Sequence, residues 1–165
     1  MDPVASLKVY AQGDAELVIV RDFAAPRALV WDCYTKPELV RRWMAGPRDW
    51  TMVVCEIDLR VGGRFRHVSR DGAGHEMTMS GSYLEVAPPE RLVHEMSFEP
   101  SWYPGKERGT AVFTERGGTT TVTTTVRYES RAARDLVLKS PMESGLAAGF
   151  RQIDALLVEL SRGRR

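Results

Sequence analysis

Residues Ser140–Leu160 read SPMESGLAAGFRQIDALLVEL and predict the element against which the rest of the chain must pack. Ser140 at the N-cap, Pro141 at the first helical position and Glu143 at the third form a capping box. Apolar residues then recur every three or four positions, as on one face of an α-helix. This stripe consists of Met142, Leu146, Phe150, Ile153, Leu157 and Leu160. The pattern predicts a continuous helix of about twenty residues, or ~30 Å, with one apolar side to bury.

The chain before this helix shows strand patterns separated by turn signals. The clearest, GGTTTVTTTVRY at 117–128, is almost entirely β-branched and opens with a glycine turn. Pro26 and Pro37 each suit the first turn of a short helix, because proline lacks an N–H that the first turn does not need. The predicted strands are Glu16–Ala24, Trp50–Asp58, Arg64–Arg70, His75–Val86, Arg91–Phe98, Gly109–Glu115 and the 117–128 stretch.

These elements predict an α+β fold in which a seven-stranded antiparallel sheet packs against the long C-terminal helix, with two short helices after the first strand. Residues 1–15 lack periodicity and are interpreted as an N-terminal lead-in. Residues 16–161 are interpreted as a single domain, since 165 residues suffice for one domain with a core. Gly145 and Gly149, one turn apart on the helix, would either permit close packing or leave space beside the apolar stripe.

The composition is typical of a soluble globular protein, with 43% apolar and 27% charged residues. A net charge of +1 gives no electrostatic reason to expect nucleic acid or an anionic membrane as a partner. The sequence shows neither a signal-peptide pattern nor an apolar run of ~20 residues, so we expect a cytoplasmic protein. Cys33 and Cys55 are expected to be reduced core residues.

Several short motifs, taken in their order and spacing, resemble a known domain family. They are Ala25–Trp31 (APRALVW), Pro37-Glu38-Leu39 with Arg42-Trp43 and Gly46-Pro47, Asp58–Gly63 (DLRVGG), Gly81–Val86 (GSYLEV), Pro88–Val93 (PPERLV), Arg134-Asp135 and Met142–Gly145 (MESG). Over residues 16–160 they resemble the family named after the activator of Hsp90 ATPase, within the START/Bet v 1-like (helix-grip) superfamily. The resemblance implies a seven-stranded sheet wrapped around the C-terminal helix, with a cavity between them.

The chain departs from the family pattern in two places. Many relatives have Trp-Trp-Gly-Pro where this chain has WMAGP at 43–47, so we expect a differently shaped loop over the cavity mouth. Leucine is also common where Thr124 stands. The family offers no shared catalytic set. Full eukaryotic activators carry an additional N-terminal domain that 165 residues cannot contain, which argues against stimulation of Hsp90.

A threonine between two valines is the main indication of a binding site. Alternate residues of a strand face opposite ways, so Val122, Thr124 and Val126 share the core-facing side. In a packed core the Thr124 hydroxyl needs a protein partner, whereas in a cavity water or a ligand can satisfy it. A filled core with Thr124 bonded internally is the competing interpretation.

Histidines on apolar strand faces extend this hypothesis. His94 shares a face with Met96 and Phe98, and His67 shares one with Phe65. A lone histidine on such a face is more often a satisfied core residue than a ligand contact. We predict a cavity of roughly 300–1,000 Å³ between sheet and helix. Its predicted lining is Thr124, Val122, Val126, His94, Met96, Phe98, His67, Trp43, Met142, Leu146 and Ile153.

Motifs for other chemistry do not occur. Three scattered histidines and two separated cysteines lack the spacing of a zinc site, and no nucleophile elbow, Walker loop or dinucleotide fingerprint is present. We therefore expect no metal, no cofactor and a binding protein for a small hydrophobic molecule that carries a polar group. The alternatives are a cyclase- or hydrolase-type enzyme that uses a cavity histidine with tyrosine or threonine, and a module that contacts a chaperone. A homodimer is compatible with each of these three functions.

Overall fold

The computed structural model describes residues 6–46 and 49–163, which form one antiparallel sheet of eight strands and four helices. The strand order is β1-β2-β8-β7-β6-β5-β4-β3. The strands are β1 Leu7–Gln12, β2 Glu16–Phe23, β3 Thr51–Ile57, β4 Arg64–Arg70, β5 Glu76–Ala87, β6 Arg91–Glu99, β7 Glu107–Arg116 and β8 Thr119–Tyr128. The helices are α1 Arg27–Thr35, α2 Pro37–Trp43, α3 Arg131–Lys139 and α4 Met142–Gly163. Residues 1–5 of the predicted lead-in and Pro47 of the WMAGP motif lie outside the described residues.

The predicted α+β class is confirmed, with eight strands rather than seven. The additional strand, β1, lies within the segment that we interpreted as a lead-in, and that interpretation is wrong for residues 7–12. β1 pairs with β2 from Leu7 opposite Arg21 to Gln12 opposite Glu16. Leu7, Val9 and Ala11 alternate with Lys8, Tyr10 and Gln12, which is a strand pattern, but it spans only six residues and only Leu7 and Val9 are half-buried.

The predicted long helix is confirmed as α4. Phe150, Ile153 and Leu157 of the stripe are buried, whereas Met142 and Leu146 near its start are half-buried. The predicted capping box is wrong: the Ser140 hydroxyl donates a hydrogen bond to the Val137 carbonyl at 2.5 Å and thereby ends α3. Within the described ranges no helix, α4 included, combines the length and hydropathy that crossing a membrane requires.

The second half of α4 is attached firmly to the rest of the molecule. Arg21 of β2, only 3% exposed, donates hydrogen bonds of 2.8 and 2.7 Å to the two carboxylate oxygens of Asp154. A Cβ at Gly149 would lie 3.0 Å from the Trp43 carbonyl oxygen, so this glycine permits the end of α2 to approach α4 closely. A Cβ at Gly145 would meet nothing within 4 Å. One glycine therefore serves close packing, and the other faces open space.

Candidate functional site

The inner face of the sheet, which faces α4, has a buried part and a half-buried part. Beside the second half of α4 it is closed, and Phe23, Phe113 and Ile153 are at most 1% exposed. A second part is less closed: inner-facing side chains of β6, β7 and β8 are only half-buried, as are Met142 and Leu146 at the start of α4. We define the inner patch as Thr124, His94, Met96, Phe98, Glu107, Met142 and Leu146.

Along β7 the inner patch is lined by residues with small side chains. The inner-facing residues of this strand after Glu107 are Gly109 and Ala111, which are small. Gly109 lies between His94 of β6 and Val126 of β8 in the register of the sheet. A Cβ at Gly109 would lie 2.7 Å from Cε1 of His94, so the imidazole ring leans over the glycine. The centre of the inner face is thus covered by one polar ring instead of an aliphatic side chain.

Thr124 is half-buried although its neighbours on the same strand face are buried. Val122 and Val126 are 2% and 6% exposed. Among the described residues the Thr124 hydroxyl has no protein partner, and no side-chain polar atom without a partner is sealed from solvent. By contrast, the buried Thr120 on the same face donates to the Ala25 carbonyl at 2.7 Å. Thr124 therefore has the exposure that the cavity interpretation requires.

His94 is a neutral hydrogen-bonding group at pH 7. Burial, reinforced by the nearby His67, lowers its pKa from 6.5 to about 4. Its ring stands edge-on to Phe65, with centroids 5.6 Å apart. In the described part of the chain His94 makes no hydrogen bond to a tyrosine or threonine. The acid–base pairing expected of a cyclase or hydrolase is therefore not formed there.

His67 is a buried residue of β4 and is not part of the inner patch. It is 6% exposed, and its Nδ1 lies 3.5 Å from Sγ of Cys55. Burial lowers the pKa of His67 to about 4 and raises the pKa of the Cys55 thiol. A neutral imidazole beside a neutral thiol does not make a nucleophilic thiolate. Within residues 6–46 and 49–163, no three potential ligands are grouped to hold a metal ion.

Glu107 is the inner-face group that sequence reasoning missed. It opens β7, two residues before the predicted start of that strand, opposite Met96 in β6 and Tyr128 in β8. The Tyr103 hydroxyl donates a hydrogen bond to its Oε1. Burial raises the pKa of Glu107 from 4.5 to about 7, against the opposing effect of that hydrogen bond. Extending the Gly109–Ala111–Phe113 alternation back by one step would have placed Glu107 on the inner face.

Aromatic rings surround this carboxylate end of the patch. Tyr103 stands edge-on to Tyr128, Phe98 and Trp102, with centroid separations of 5.3, 5.8 and 4.8 Å. Tyr103 and Tyr128 are 4% and 5% exposed, whereas Trp102 is 38% exposed. Burial, followed by the Glu107 charge, raises the pKa of both tyrosines. Both hydroxyls therefore remain protonated donors at physiological pH.

The remaining predicted lining residues have structural contacts. Val122, Val126 and Ile153 are buried in the core, and Trp43 donates through Nε1 to the Cys33 carbonyl at 2.7 Å. The described residues also form a depression of about 280 Å³, but it lies on the outer face of the sheet. It is lined by Glu56, Arg64, Phe65, Arg66 and Ser80. This depression does not test the predicted inner cavity, which stays a prediction.

Comparisons with known proteins support a family assignment. A family model described as Activator of Hsp90 ATPase homolog 1-like protein matches residues 24–158. A crystal structure from Rhodobacter sphaeroides is 26% identical, with a TM-score of 0.88, and the match covers 93% of this chain and 99% of that one. A structure from Mycobacterium smegmatis is 28% identical, with a TM-score of 0.79 and coverage of 94% and 97%. One from Nitrosomonas europaea is 26% identical, with a TM-score of 0.78 and coverage of 90% and 97%. No curated protein matches the chain.

Proposed function

The chain belongs to the family of Activator of Hsp90 ATPase homolog 1-like proteins, and we propose that it binds a small apolar molecule carrying a polar group. The ligand lies on the inner patch, between β6–β8 and the first half of α4. The observation that carries this proposal is the exposure of Thr124 between the buried Val122 and Val126. A filled core would have closed over all three side chains.

The chemistry of the inner patch suits such a ligand. Binding sites for small molecules are mostly apolar, with a few placed polar groups that fix orientation. Met96, Phe98 and Leu146 supply apolar surface, and methionine adapts its shape to a ligand more easily than branched side chains do. Thr124, His94 and Glu107 supply the polar groups. At pH 7 the two histidine ring nitrogens provide one donor and one acceptor.

Room for a ligand is supported by a small side chain on the sheet side of the patch. Ala111 is paired with Thr124, and no side chain larger than a methyl group stands at that point of β7. Among the residues that the structure describes, the first half of α4 forms no ion pair like the one that fixes the second half at Asp154. A ligand could therefore enter beside Leu146 without breaking the Arg21–Asp154 contact.

Fluorescence of N-phenyl-1-naphthylamine, a neutral apolar probe, tests this proposal. We expect saturable binding to the unmodified protein, with one probe per chain. Leu146→Trp fills the space beside the patch and should remove binding while the protein stays folded. Val158→Trp is the matched control, because Val158 is 52% exposed on the same helix and should bind the probe unchanged. No binding to the unmodified protein, or equal binding to both variants, contradicts the proposed function.

A further inference from the structure

Glu107 has no cationic partner in the described part of the protein. Its Oε1 accepts from the Tyr103 hydroxyl, and no described side chain donates to its Oε2. The neighbouring Arg108 points to the outer face, where it pairs with Glu95 at 2.9 Å. Since no partnerless polar atom is sealed from solvent, Oε2 remains accessible. The Glu107 carboxyl therefore has one oxygen free to accept a hydrogen bond from a bound molecule.

The surroundings of Oε2 favour an organic cation over a metal ion. Phe98, Trp102 and Tyr128 pack against Tyr103, the hydrogen-bond partner of Glu107, and no three potential metal ligands are grouped within the described residues. Aromatic faces attract ammonium groups through their quadrupoles, and a carboxylate adds a charged hydrogen bond. An anionic ligand would instead be repelled by Glu107.

We propose that the ligand of the inner patch is an amine, whose ammonium group binds Glu107 Oε2 within the ring of Phe98, Trp102, Tyr103 and Tyr128. This inference rests on the proposed function and names the class of its ligand. The amine's apolar body lies beside the His94 ring and over Ala111, toward Thr124. Ala111 is paired with Thr124 and follows Glu107 by four residues, or about 13 Å of strand. That length accommodates one aromatic ring with a short alkyl chain.

Three probes of equal length separate this proposal from its alternatives. Phenylbutylamine, phenylbutanol and phenylbutyrate share a phenyl ring on a chain of four carbons and differ in the charge of the group at its end. Titrations followed by amide NMR shifts at about pH 8 should show the amine binding on the order of tenfold more tightly than the alcohol. The acid should bind most weakly. The largest shifts are expected at the start of β7 and in the loop before it.

The matched variants are Glu107→Gln and Glu95→Gln. Glu107→Gln should remove the preference for the amine while alcohol binding persists. Glu95→Gln changes a carboxylate on the outer face of the adjacent strand, so it should leave the preference intact. If the alcohol binds the patch but the amine gains nothing over it, the amine assignment fails and the proposed function stands. If none of the three probes binds, both fail.

A measurement on the unmodified protein covers the case in which Glu107→Gln does not fold. The amine's advantage over the alcohol should fade between about pH 8 and pH 5.5 as Glu107 becomes protonated. Tyr128 of β8, Tyr103 of the loop and His94 of β6 face the same space and stay neutral over this range. Lys106 and Glu129 lie at the same strand end but on the exposed surface. An advantage independent of pH contradicts the role of Glu107.

Discussion

Arg21 of β2 and Asp154 of α4 form a two-point contact across the inner face, at 2.8 and 2.7 Å, although 133 residues separate them. The guanidinium is 4% exposed and lies 4.8 Å above the Phe23 ring. Removing the Asp154 charge leaves a buried cation unpaired. We expect Asp154→Asn to lower the free energy of unfolding by about 2–3 kcal/mol, less than for a fully buried pair because Asp154 is 37% exposed. Urea unfolding measures this change.

The control for that prediction is Glu159→Gln, one helical turn and a residue further along α4. Glu159 pairs with Arg42 at 2.9 Å, but both side chains are more than half exposed. Exposed pairs contribute little, so we expect a much smaller loss than from Asp154→Asn. Equal losses from the two variants would mean that burial of Arg21 does not determine the strength of its contact.

Protonation of Glu107 should make stability depend on pH. Its pKa is about 7 in the folded protein and near 4.5 in the unfolded chain, so the folded state binds the extra proton. The stabilisation is complete below about pH 4.5 and is lost as the pH rises through 7. We compare the free energy of unfolding of Glu107→Gln with that of the unmodified protein. The difference should shift in favour of the variant by on the order of 2 kcal/mol when the pH is raised from about 5 to about 8. Denaturant unfolding at both values measures the difference.

His67 and His94 make stability depend on pH in the opposite direction to Glu107. Burial holds the pKa of each at about 4 in the folded protein, so they lower stability as the pH falls from 6.5 toward 4. Both are present in the unmodified protein and in Glu107→Gln, so their effect cancels in the difference. A difference that stays constant with pH would show that Glu107 does not titrate near neutrality.

The regular elements and the family resemblance could be predicted because their signals are local. The α4 stripe and the β8 alternation each repeat over ten residues or more, and the motifs between Ala25 and Gly145 are confirmed by the family match over 24–158. β1 was missed because its apolar alternation spans only six residues, although Leu7 and Val9 pack against the core and the strand pairs with β2.

The candidate site was predictable only in part, because it depends on contacts between distant segments. Thr124 and His94 could be placed on inner strand faces from alternation alone. Glu107 was missed because β7 begins two residues before Gly109, at polar residues that the strand pattern did not include. Its partner Tyr103 comes from a loop without periodicity. The capping box failed for a similar reason: Ser140 bonds backward to α3, a short helix whose exact end the sequence does not indicate.

The two glycines of α4 should respond oppositely to alanine. At Gly145 a Cβ meets nothing within 4 Å, so Gly145→Ala should stabilise the protein by about 0.5–1 kcal/mol through helix propensity. At Gly149 a Cβ would lie 3.0 Å from the Trp43 carbonyl oxygen, a backbone atom that cannot move away by a change of side-chain rotamer. We expect Gly149→Ala to destabilise instead. Thermal unfolding measures both, and stabilisation by both variants would mean that α2 and α4 are less closely packed than this distance implies.

Thr124→Val tests whether the inner patch is open. The Thr124 hydroxyl has no protein partner among the described residues, so its loss should change the free energy of unfolding by less than about 0.5 kcal/mol. A ligand hydroxyl that bonds to Thr124 would lose that bond. The proposed pose places the phenyl end of the ligand beside Thr124, so the affinity for para-hydroxyphenylbutylamine, measured by NMR titration, should fall by about 0.5–1.5 kcal/mol.

Thr120→Val is the matched control for this prediction on the same face of β8. Thr120 is fully buried and donates to the Ala25 carbonyl, so the same substitution leaves that carbonyl unsatisfied. We expect it to cost about 1–3 kcal/mol of stability while para-hydroxyphenylbutylamine still binds. If Thr124→Val destabilises the protein as much as Thr120→Val does, the Thr124 hydroxyl is bonded internally. The inner patch would then be part of a filled core, because the polar group that best distinguishes it from packed apolar surface would already be satisfied by the protein.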